Sequence, residues 1–470
     1  MAALEFALDP ADVPLLIRWP GISAGRFVAT AMTWHDTTDG ALAAKDLALC
    51  AAPGAWRLFP LRPANAATPP VLLEDARRPE LMAHPLPPGL GPVASWTGRR
   101  RVYAWVEGDE AVEIHLLDGR VGATALCRIT LVGAAPAVTA LATALAGTLR
   151  VSVPLAGLAE QALGAATGRM PPPRALGAPE VPDGQTVGES LAIITGHLLD
   201  VMLHWASEAP TARTPEPVHQ MRVATRRLRS ALSVYRHAAA CPAIAGLMAP
   251  LKLCAGRLGI ARDWDVFLDG TGARLMQAFP DDRRCAAMMR AGARRRRAAY
   301  AELRGFLDSG DFRSLAAALA CAAALRPWDG VSPGEGLAED TAVFAAAILD
   351  KRMRRVRKAG RGIETLPVPA LHELRKDCKR LRYAAEFFAS LFPAKRTKRF
   401  LGKLSALQEE LGLLNDTAAV SGLMAQLGRM ERSYAAGLVE GFSAAHAGPA
   451  RARIEQGWKR FRATRAFWAH

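Results

Sequence analysis

The chain has 470 residues, of which 60 are lysine or arginine and 44 are aspartate or glutamate, so its formal net charge is +16. This length exceeds one ordinary hydrophobic core and predicts two domains. The charge is uneven, because residues 1–185 contain 15 basic and 17 acidic residues whereas residues 186–470 contain 45 and 27. That asymmetry excludes a uniformly basic protein and indicates that the second part meets a polyanion.

Composition and motif searches argue against secretion and against common catalytic centres. The seven cysteines form no Cys-x-x-Cys pair and are odd in number, which favours reduced cytoplasmic thiols over a disulfide framework or a zinc site. Glu5, Asp9 and Asp12 interrupt the stretch that a secretory signal would need. The sequence has no Walker-type glycine loop, no Gly-x-Ser-x-Gly and no His-Glu-x-x-His. We therefore expect a cytoplasmic protein with no cofactor and no metal.

Residues 1–170 alternate short apolar segments with turns. The segments read LEFAL, RFVATAMTWHD, WRLFPLR, RRVYAWVEG and AVEIHLLDG, followed by the helix-like PAVTALATALAGTL. This order predicts antiparallel strands and then a helix. Residues 129–149 carry no charge, but they are rich in Ala, Gly and Thr and include Pro136. We interpret them as a buried strand and helix rather than a membrane span, and expect no membrane contact.

A cluster of proline and glycine predicts a linker at residues 171–186. Beyond it Ala, Leu and Arg dominate, and the prolines gather between segments. This pattern predicts an all-α bundle over residues 187–470. An internal repeat divides it into about 187–335 and 336–470.

The repeat is clearest in a motif of histidine and basic residues. The spacing His-x-x-Arg-x-x-x-Arg/Lys-Arg-x-Arg occurs twice, 153 positions apart. The two copies comprise His219, Arg222, Arg226, Arg227 and Arg229, and His372, Arg375, Lys379, Arg380 and Arg382. A second pair of motifs keeps the same offset: Leu258-Gly259 followed by Asp263, and Leu411-Gly412 followed by Asp416. We interpret the two pairs as a duplicated anion-binding helix.

On a helix, where each residue turns by about 100°, the basic residues of each copy form one stripe about 15 Å long. Only Arg227 leaves the stripe of the first copy. Apolar residues such as Met221 and Leu228, or Leu374 and Leu381, lie opposite and are predicted to pack.

A solvated helix face is the usual explanation of a basic stripe. Here no interspersed acids relieve the repulsion between like charges, so we favour a face that binds a long polyanion. Arginine can hold two phosphate oxygens at once and lysine acts as a point charge. Each histidine either donates to the anion or orients a neighbour.

These motifs resemble the CHAD domain, the conserved histidine α-helical domain. Three segments carry the resemblance, LGIARDWDVFL at 258–268, LHELRKDCKRLRYAAEFF at 371–388 and LQEELGLLNDTAAV at 407–420. It covers residues 187–470 and implies two related helical bundles around a basic groove that binds inorganic polyphosphate, commonly at polyphosphate granules. The binding positions that it implies are the ten motif residues together with Arg262. In the second copy Asn415 takes the place of that arginine.

The first part resembles the CYTH domain, the triphosphate tunnel fold, which often precedes a CHAD domain. The resemblance rests on TWHDTTDGALAAKDLALC at 33–50 and VEIHLLDGRVGA at 112–123. It implies an antiparallel β-barrel in which carboxylates hold a divalent metal and inward bases hold a triphosphate.

The chain lacks the metal- and phosphate-binding residues of that family at several positions. Glu5 matches the first glutamate of the family's metal-binding strand, but Ala7 stands at the second and Asp9 at its lysine. Arg128 and Thr130 stand where later carboxylates are expected. A hard cation needs several converging oxygen ligands, so we expect a degenerate barrel without phosphohydrolase activity. Arg62, in the place of another lysine, could still meet phosphate.

The predicted fold class is therefore α+β with several domains, a CYTH-like antiparallel β-barrel followed by a duplicated all-α CHAD bundle. The predicted function is non-catalytic binding of inorganic polyphosphate, in the cytoplasm and at polyphosphate granules. One alternative is a metal-dependent triphosphatase or polyphosphatase in the barrel. Another is a nucleic-acid binder, suggested by the high pI, although no recognition fold or base-stacking pattern accompanies the charge.

Overall fold

The computed structural model describes residues 2–23, 25–62, 67–168, 174–329, 336–413, 416–427, 433–447 and 450–469. Their internal contacts group the chain into two compact units. The first unit comprises Met1–Leu176, Leu199–His204 and Leu307–Pro327, and the second comprises Gly177–Leu198, Trp205–Phe306 and Trp328–His470. Residues 171–173 of the predicted linker, and Asn415, lie outside the described residues.

The first unit is built on one nine-stranded antiparallel sheet. Its strands are β1 (Ala2–Leu8), β2 (Arg26–Asp36), β3 (Leu47–Ala52), β4 (Ala55–Pro60), β5 (Glu74–Ala76), β6 (Gly91–Glu107), β7 (Glu110–Val121), β8 (Thr124–Gly133) and β9 (Val151–Ser152). The strand order is β5-β4-β3-β2-β6-β7-β8-β1-β9. The predicted antiparallel domain is confirmed. The predicted closed barrel is not, because in the described part of the chain β5 and β9 remain open edges of the sheet.

Alternation of apolar residues fixes which face of each strand is buried. In β7, Val112, Ile114 and Leu116 are buried while the residues between them are not. On the opposite face of the sheet, the Trp96 indole donates to the Leu126 carbonyl at 3.0 Å. A Cβ at Gly119 would lie 2.3 Å from the Trp96 ring, so the close approach of the two strands requires glycine there.

In the described part of the first unit, the α-helices that lie wholly within it are α1 (Val13–Ile17), α2 (Ala135–Thr148), α3 (Leu158–Thr167) and α9 (Gly310–Leu325). The charge-free stretch 129–149 forms the end of β8 and the largely buried α2, as the sequence predicted. Ser314 of α9 donates to the Thr143 carbonyl of α2 at 2.8 Å. Leu307–Pro327 therefore groups with the sheet, although the sequence prediction included it in the helical region 187–470.

The other helices form the all-helical region that the sequence predicted. They are α4 (Val187–Glu208), α5 (Glu216–Tyr235), α6 (Pro242–Val266), α7 (Ala273–Ala278), α8 (Arg283–Leu307), α10 (Thr341–Ala359), α11 (Val368–Phe387), α12 (Ala394–Leu413), α13 (Asp416–Ala425), α14 (Tyr434–Ala447) and α15 (Ala450–Arg462). A π-helical segment, Phe267–Gly272, joins α6 to α7. The continuous stretch Pro242–Ala278 is long and apolar enough to cross a membrane by composition alone, a test that core helices also pass.

The duplication is visible in the helices of the second unit. The helix pair α5 and α6 matches the pair α11 and α12, and each pair is in contact. Buried residues of α6 and α12 correspond at the 153-residue offset: Leu247, Leu251, Cys254 and Leu258 match Phe400, Leu404, Leu407 and Leu411. The repeat therefore extends beyond the motif into the packing of the following helix.

Candidate anion-binding site

The basic motifs lie on α5 and α11, and each helix buries the face opposite its stripe. On α5 the residues Met221, Leu228 and Tyr235 are at most 1% exposed. On α11, Leu374 and Leu381 are fully buried. The apolar spacing that predicted the packing faces is thus realised in both repeats, which leaves the basic stripes free of the hydrophobic core.

The two stripes meet at one aromatic ring. The guanidinium of Arg226 on α5 lies 5.4 Å from the centre of the Tyr383 ring, and that of Arg382 on α11 lies 5.5 Å from it. Both distances fall within the range of a cation–π contact. The duplicated helices therefore present their cations to a common place, with Tyr383 between one arginine of each repeat.

Lys379 lies among the arginines of both stripes. Burial, and then the charges of Arg375, Arg226, Arg222 and Arg382 in that order of size, together lower the pKa of its ammonium to about 8. Crowding of like charges in a partly desolvated place makes each added positive charge costly. An anion bound at this place would relieve that cost.

Several nitrogen atoms of the stripes are enclosed without a hydrogen-bond partner. Among the described residues, Nε of Arg226, Arg229 and Arg382 and Nδ1 of His219 are buried and have no hydrogen-bond partner. Buried polar atoms are normally paired, and leaving one unpaired costs about 1–3 kcal/mol. The arrangement is typical of a surface that is completed by a ligand or by ordered water.

The histidines begin the two stripes. Burial lowers the pKa of His219, and the nearby charges of Arg262, Arg226 and Arg222 act in the same direction. His219 is therefore neutral near pH 7 and can offer one N–H to an anion. His372 is half-buried in the first half of α11, at the equivalent position of the second repeat.

The helices that follow the stripes keep space for the arginine side chains. A Cβ at Gly259 of α6 would lie 4.0 Å from Nε of Arg222. A Cβ at Gly412 of α12 would lie 3.4 Å from Nη2 of Arg375. The two duplicated Leu-Gly motifs thus place a glycine beside the corresponding arginine in each repeat.

Acidic residues accompany parts of the site. Asp263 lies 4.0 Å from Nη2 of Arg222, while the side chain of its counterpart Asp416 lies outside the described residues. Arg262 is on the same turn of α6, and its charge acts on His219 as well as on the buried Asp265. Arg262 therefore lies close enough to the stripe for its charge to act on the first residue of that stripe.

Arg227 and Arg380, both assigned to binding by resemblance, are held by carboxylates. Arg227 donates to Glu386 at 2.7 Å, and both side chains are at least 80% buried. Arg380 donates to Asp377 at 2.9 Å within α11. Their charges are therefore already partly compensated. Glu386 and Tyr383 are not among the site residues that the sequence predicted, although Tyr383 directly follows a stripe arginine.

In the first unit, the residues at positions where the CYTH resemblance implies metal or phosphate ligands make contacts with other side chains. Nε of Arg128 donates to Glu5 at 3.2 Å, and its Nη2 donates to Gln161 at 2.6 Å. Burial raises the pKa of Glu5, and the Arg128 charge opposes that rise. Arg62 donates to Glu160 at 2.9 Å. Among the described residues, no group of three or more His, Cys, Asp or Glu side chains is placed to hold a metal ion.

Comparison with known proteins supports the prediction of a CHAD domain in the helical region. The family model described as CHAD domain matches residues 193–425. The crystal structure of the CHAD domain from the plant Ricinus communis is similar, with a TM-score of 0.54 and 26% identity over 63% of this chain and 98% of that chain. PptA from Streptomyces chartreusis matches with a TM-score of 0.43 and 17% identity, over 58% of this chain and 100% of that chain. None of the curated proteins matches the sequence.

Proposed function

Because residues 193–425 form a CHAD domain, we propose that this protein binds inorganic polyphosphate without cleaving it. The observation that carries the proposal is the meeting of Arg226 and Arg382, one from each repeat, at the ring of Tyr383. A polyanion with regularly spaced charges can satisfy both stripes at once, whereas a single carboxylate or phosphate can satisfy only part of one.

The electrostatics of the site support a polyanion as the ligand. Four arginines act on the Lys379 ammonium, and the enclosed Nε atoms of two of them, Arg226 and Arg382, have no hydrogen-bond partner among the described residues. Charge-assisted hydrogen bonds to phosphate are stronger than those to neutral acceptors. Binding should weaken steeply with salt, because several phosphates are neutralised and their counterions are released.

The proposal of binding without hydrolysis rests on Glu5 and Arg128. Glu5 is the one carboxylate that matches the metal-binding strand of the CYTH domain, and the Arg128 guanidinium occupies the position next to it. A cation placed there would meet a positive charge instead of further oxygen ligands. We therefore also propose that the first unit is a degenerate relative of the CYTH domain that serves as a scaffold or interaction module.

Simultaneous replacement of Arg222, Arg226, Arg375 and Lys379 by alanine tests the binding site. Affinity for long-chain polyphosphate should be lost, while the helix content measured by circular dichroism stays the same. A matched control replaces four exposed basic residues of α10, Lys351, Arg354, Arg357 and Lys358, so that net charge changes equally. Unchanged affinity in the site variant would exclude the proposed site.

Two further measurements separate the proposal from its alternatives. Phosphate release from tripolyphosphate by the purified protein, abolished by chelation, would establish an enzyme. Displacement of polyphosphate by duplex DNA at equal phosphate concentration would establish a nucleic-acid binder. In cells, we expect the tagged protein in the cytoplasm, at polyphosphate granules, and dispersed when polyphosphate is absent.

A further inference from the structure

A second basic surface lies on α12, outside the two stripes. Its members are exposed lysines and arginines in the first half of the helix, Lys395, Arg396, Lys398, Arg399 and Lys403. Within the described residues, none of the five has a carboxylate within 4 Å. Several are three or four positions apart, so they repel one another along the helix. We call this set the α12 basic face.

The α12 basic face continues from the proposed groove. Gly412 of α12 lies beside Arg375, and Ser405 accepts a hydrogen bond from Nη1 of Arg382 at 3.5 Å. Lys398 is seven residues before Ser405, as Ser405 is before Gly412, and residues seven apart share nearly the same side of a helix. One line of α12 therefore runs beside the α11 stripe and then past its end to Lys398.

Charge is segregated along α12. Its two glutamates, Glu409 and Glu410, lie on the far side of Ser405 from Lys398, and Glu410 is paired with Arg453 at 3.0 Å. The half of the helix beyond Arg382 contains bases and no acids. A polyanion that extended past Arg382 would therefore be attracted toward the half of α12 that contains Lys398.

The first repeat has no equivalent of this face. At the 153-residue offset, the five positions correspond in α6 to Pro242, Ala243, Ala245, Gly246 and Pro250. The buried faces of α6 and α12 nevertheless match residue by residue. The bases are therefore not required by the repeat fold, and they distinguish one end of the site from the other.

We propose that the α12 basic face is the path along which a polyphosphate chain leaves the groove, so that it adds contacts for long chains only. This inference rests on the proposed function. Ser405 and Lys395 are ten residues apart, which is about 15 Å along the helix. This distance equals the length of one stripe. A short oligophosphate held at Tyr383 does not reach Lys395, whereas a long chain meets both surfaces at once and gains affinity from the added contacts.

The test compares two triple variants of the full chain. One carries Lys395→Gln, Lys398→Gln and Arg399→Gln; glutamine keeps a helix propensity close to that of lysine and arginine. The matched control carries Arg294→Gln, Arg295→Gln and Arg297→Gln, which removes the same charge from exposed positions of α8. Affinities for long-chain polyphosphate and for tripolyphosphate are measured over a series of salt concentrations.

We expect the α12 triple variant to bind long chains on the order of tenfold more weakly and with a shallower salt dependence, by about 0.7 per lost contact in the slope of log K against log salt. Its affinity for tripolyphosphate should equal that of the parent. Equal loss in both triple variants, or no loss for long chains, would overturn the inference while leaving the proposed function intact. Failure of the parent to bind any polyphosphate would overturn both.

A membrane surface is the other anionic partner that this face could meet. Vesicles of phosphatidylglycerol and phosphatidylcholine, compared with vesicles of phosphatidylcholine alone, test it in the same proteins. If the α12 triple variant lost vesicle binding but kept its affinity for long-chain polyphosphate, the α12 basic face would be a lipid-binding surface. That result would contradict its proposed role as a path for polyphosphate. We expect instead that the α12 substitutions change polyphosphate binding and leave any vesicle binding the same.

Discussion

Arg227 of the first repeat donates two hydrogen bonds to Oε2 of Glu386 in the second, from Nε at 3.1 Å and from Nη2 at 2.7 Å. The other carboxylate oxygen of Glu386 lies 3.7 Å from Nε of Arg382. One carboxylate therefore links an arginine outside the stripe to one within it. Because the pair joins helices of different repeats, it helps to set the distance between the two stripes.

We predict that Arg227→Ala lowers the free energy of unfolding by about 2 kcal/mol, because Glu386 would remain largely buried without its main partner. Urea denaturation followed by circular dichroism measures the change. Arg380→Ala is the control, since that side chain is 52% exposed and Asp377 would keep its contact with Arg355. Its loss should stay below about 1 kcal/mol. Equal losses in the two variants would contradict a structural role for the Arg227 pair.

Tyr383 should act through its ring. Tyr383→Phe keeps the face that Arg226 and Arg382 contact, so we expect its affinity for polyphosphate to stay within about twofold of the parent. Tyr383→Leu removes two cation–π contacts, each worth about 0.5–1 kcal/mol or more, and should weaken binding by roughly tenfold. Titration with labelled polyphosphate compares the two variants. A larger loss in the phenylalanine variant would instead assign the effect to the hydroxyl.

Gly259 tests whether the space beside the stripe arginines matters. A leucine there would extend from a Cβ position 4.0 Å from Nε of Arg222 and should displace that guanidinium, which we expect to weaken polyphosphate binding severalfold. Gly256→Leu on the same helix is the control, because nothing lies within 4 Å of a Cβ at that position. Both substitutions should raise helix propensity similarly. Equal binding in the two leucine variants would show that Arg222 adjusts freely.

Periodicity was sufficient to predict the helical site in outline. The 100° rotation per residue separates the bases of α5 and α11 from residues such as Leu228 and Leu381, and the structure buries both leucines fully. It could not predict that Tyr383 receives an arginine from each repeat, or that Glu386 holds Arg227. The contacts of Arg226 with Tyr383 and of Arg227 with Glu386 join positions more than 150 residues apart, and their geometry depends on how the two helices pack.

The sheet shows the same limit. Alternating residues predicted strands such as β7, but closure into a barrel depends on pairing between the edge strands β5 and β9, which local sequence does not encode. The sequence alone showed that Arg128 stands where the CYTH resemblance implies a carboxylate. Its pairing with Glu5 required the register of β1 against β8, in which Ala7 lies opposite Arg128.

Lys379 should make polyphosphate binding depend on pH. Its pKa is lowered to about 8 in the folded protein by burial and by neighbouring arginines, against about 10.4 in an unfolded chain. Its charged form therefore costs stability below about pH 8, and that cost disappears as pH rises past both values. A bound polyanion stabilises the ammonium and raises the pKa of Lys379, so binding above about pH 8 takes up a proton.

We accordingly expect the affinity for polyphosphate to fall between about pH 8 and 9.5, by up to tenfold per unit, at constant ionic strength. Lys379→Arg should flatten this dependence, because the guanidinium stays charged throughout that range. Lys376→Arg is the matched control, since Lys376 lies on the same helix but is paired with Glu373 at 2.7 Å, and it should keep the pH dependence of the parent. Identical pH profiles for the parent and Lys379→Arg would show that another group takes up the proton.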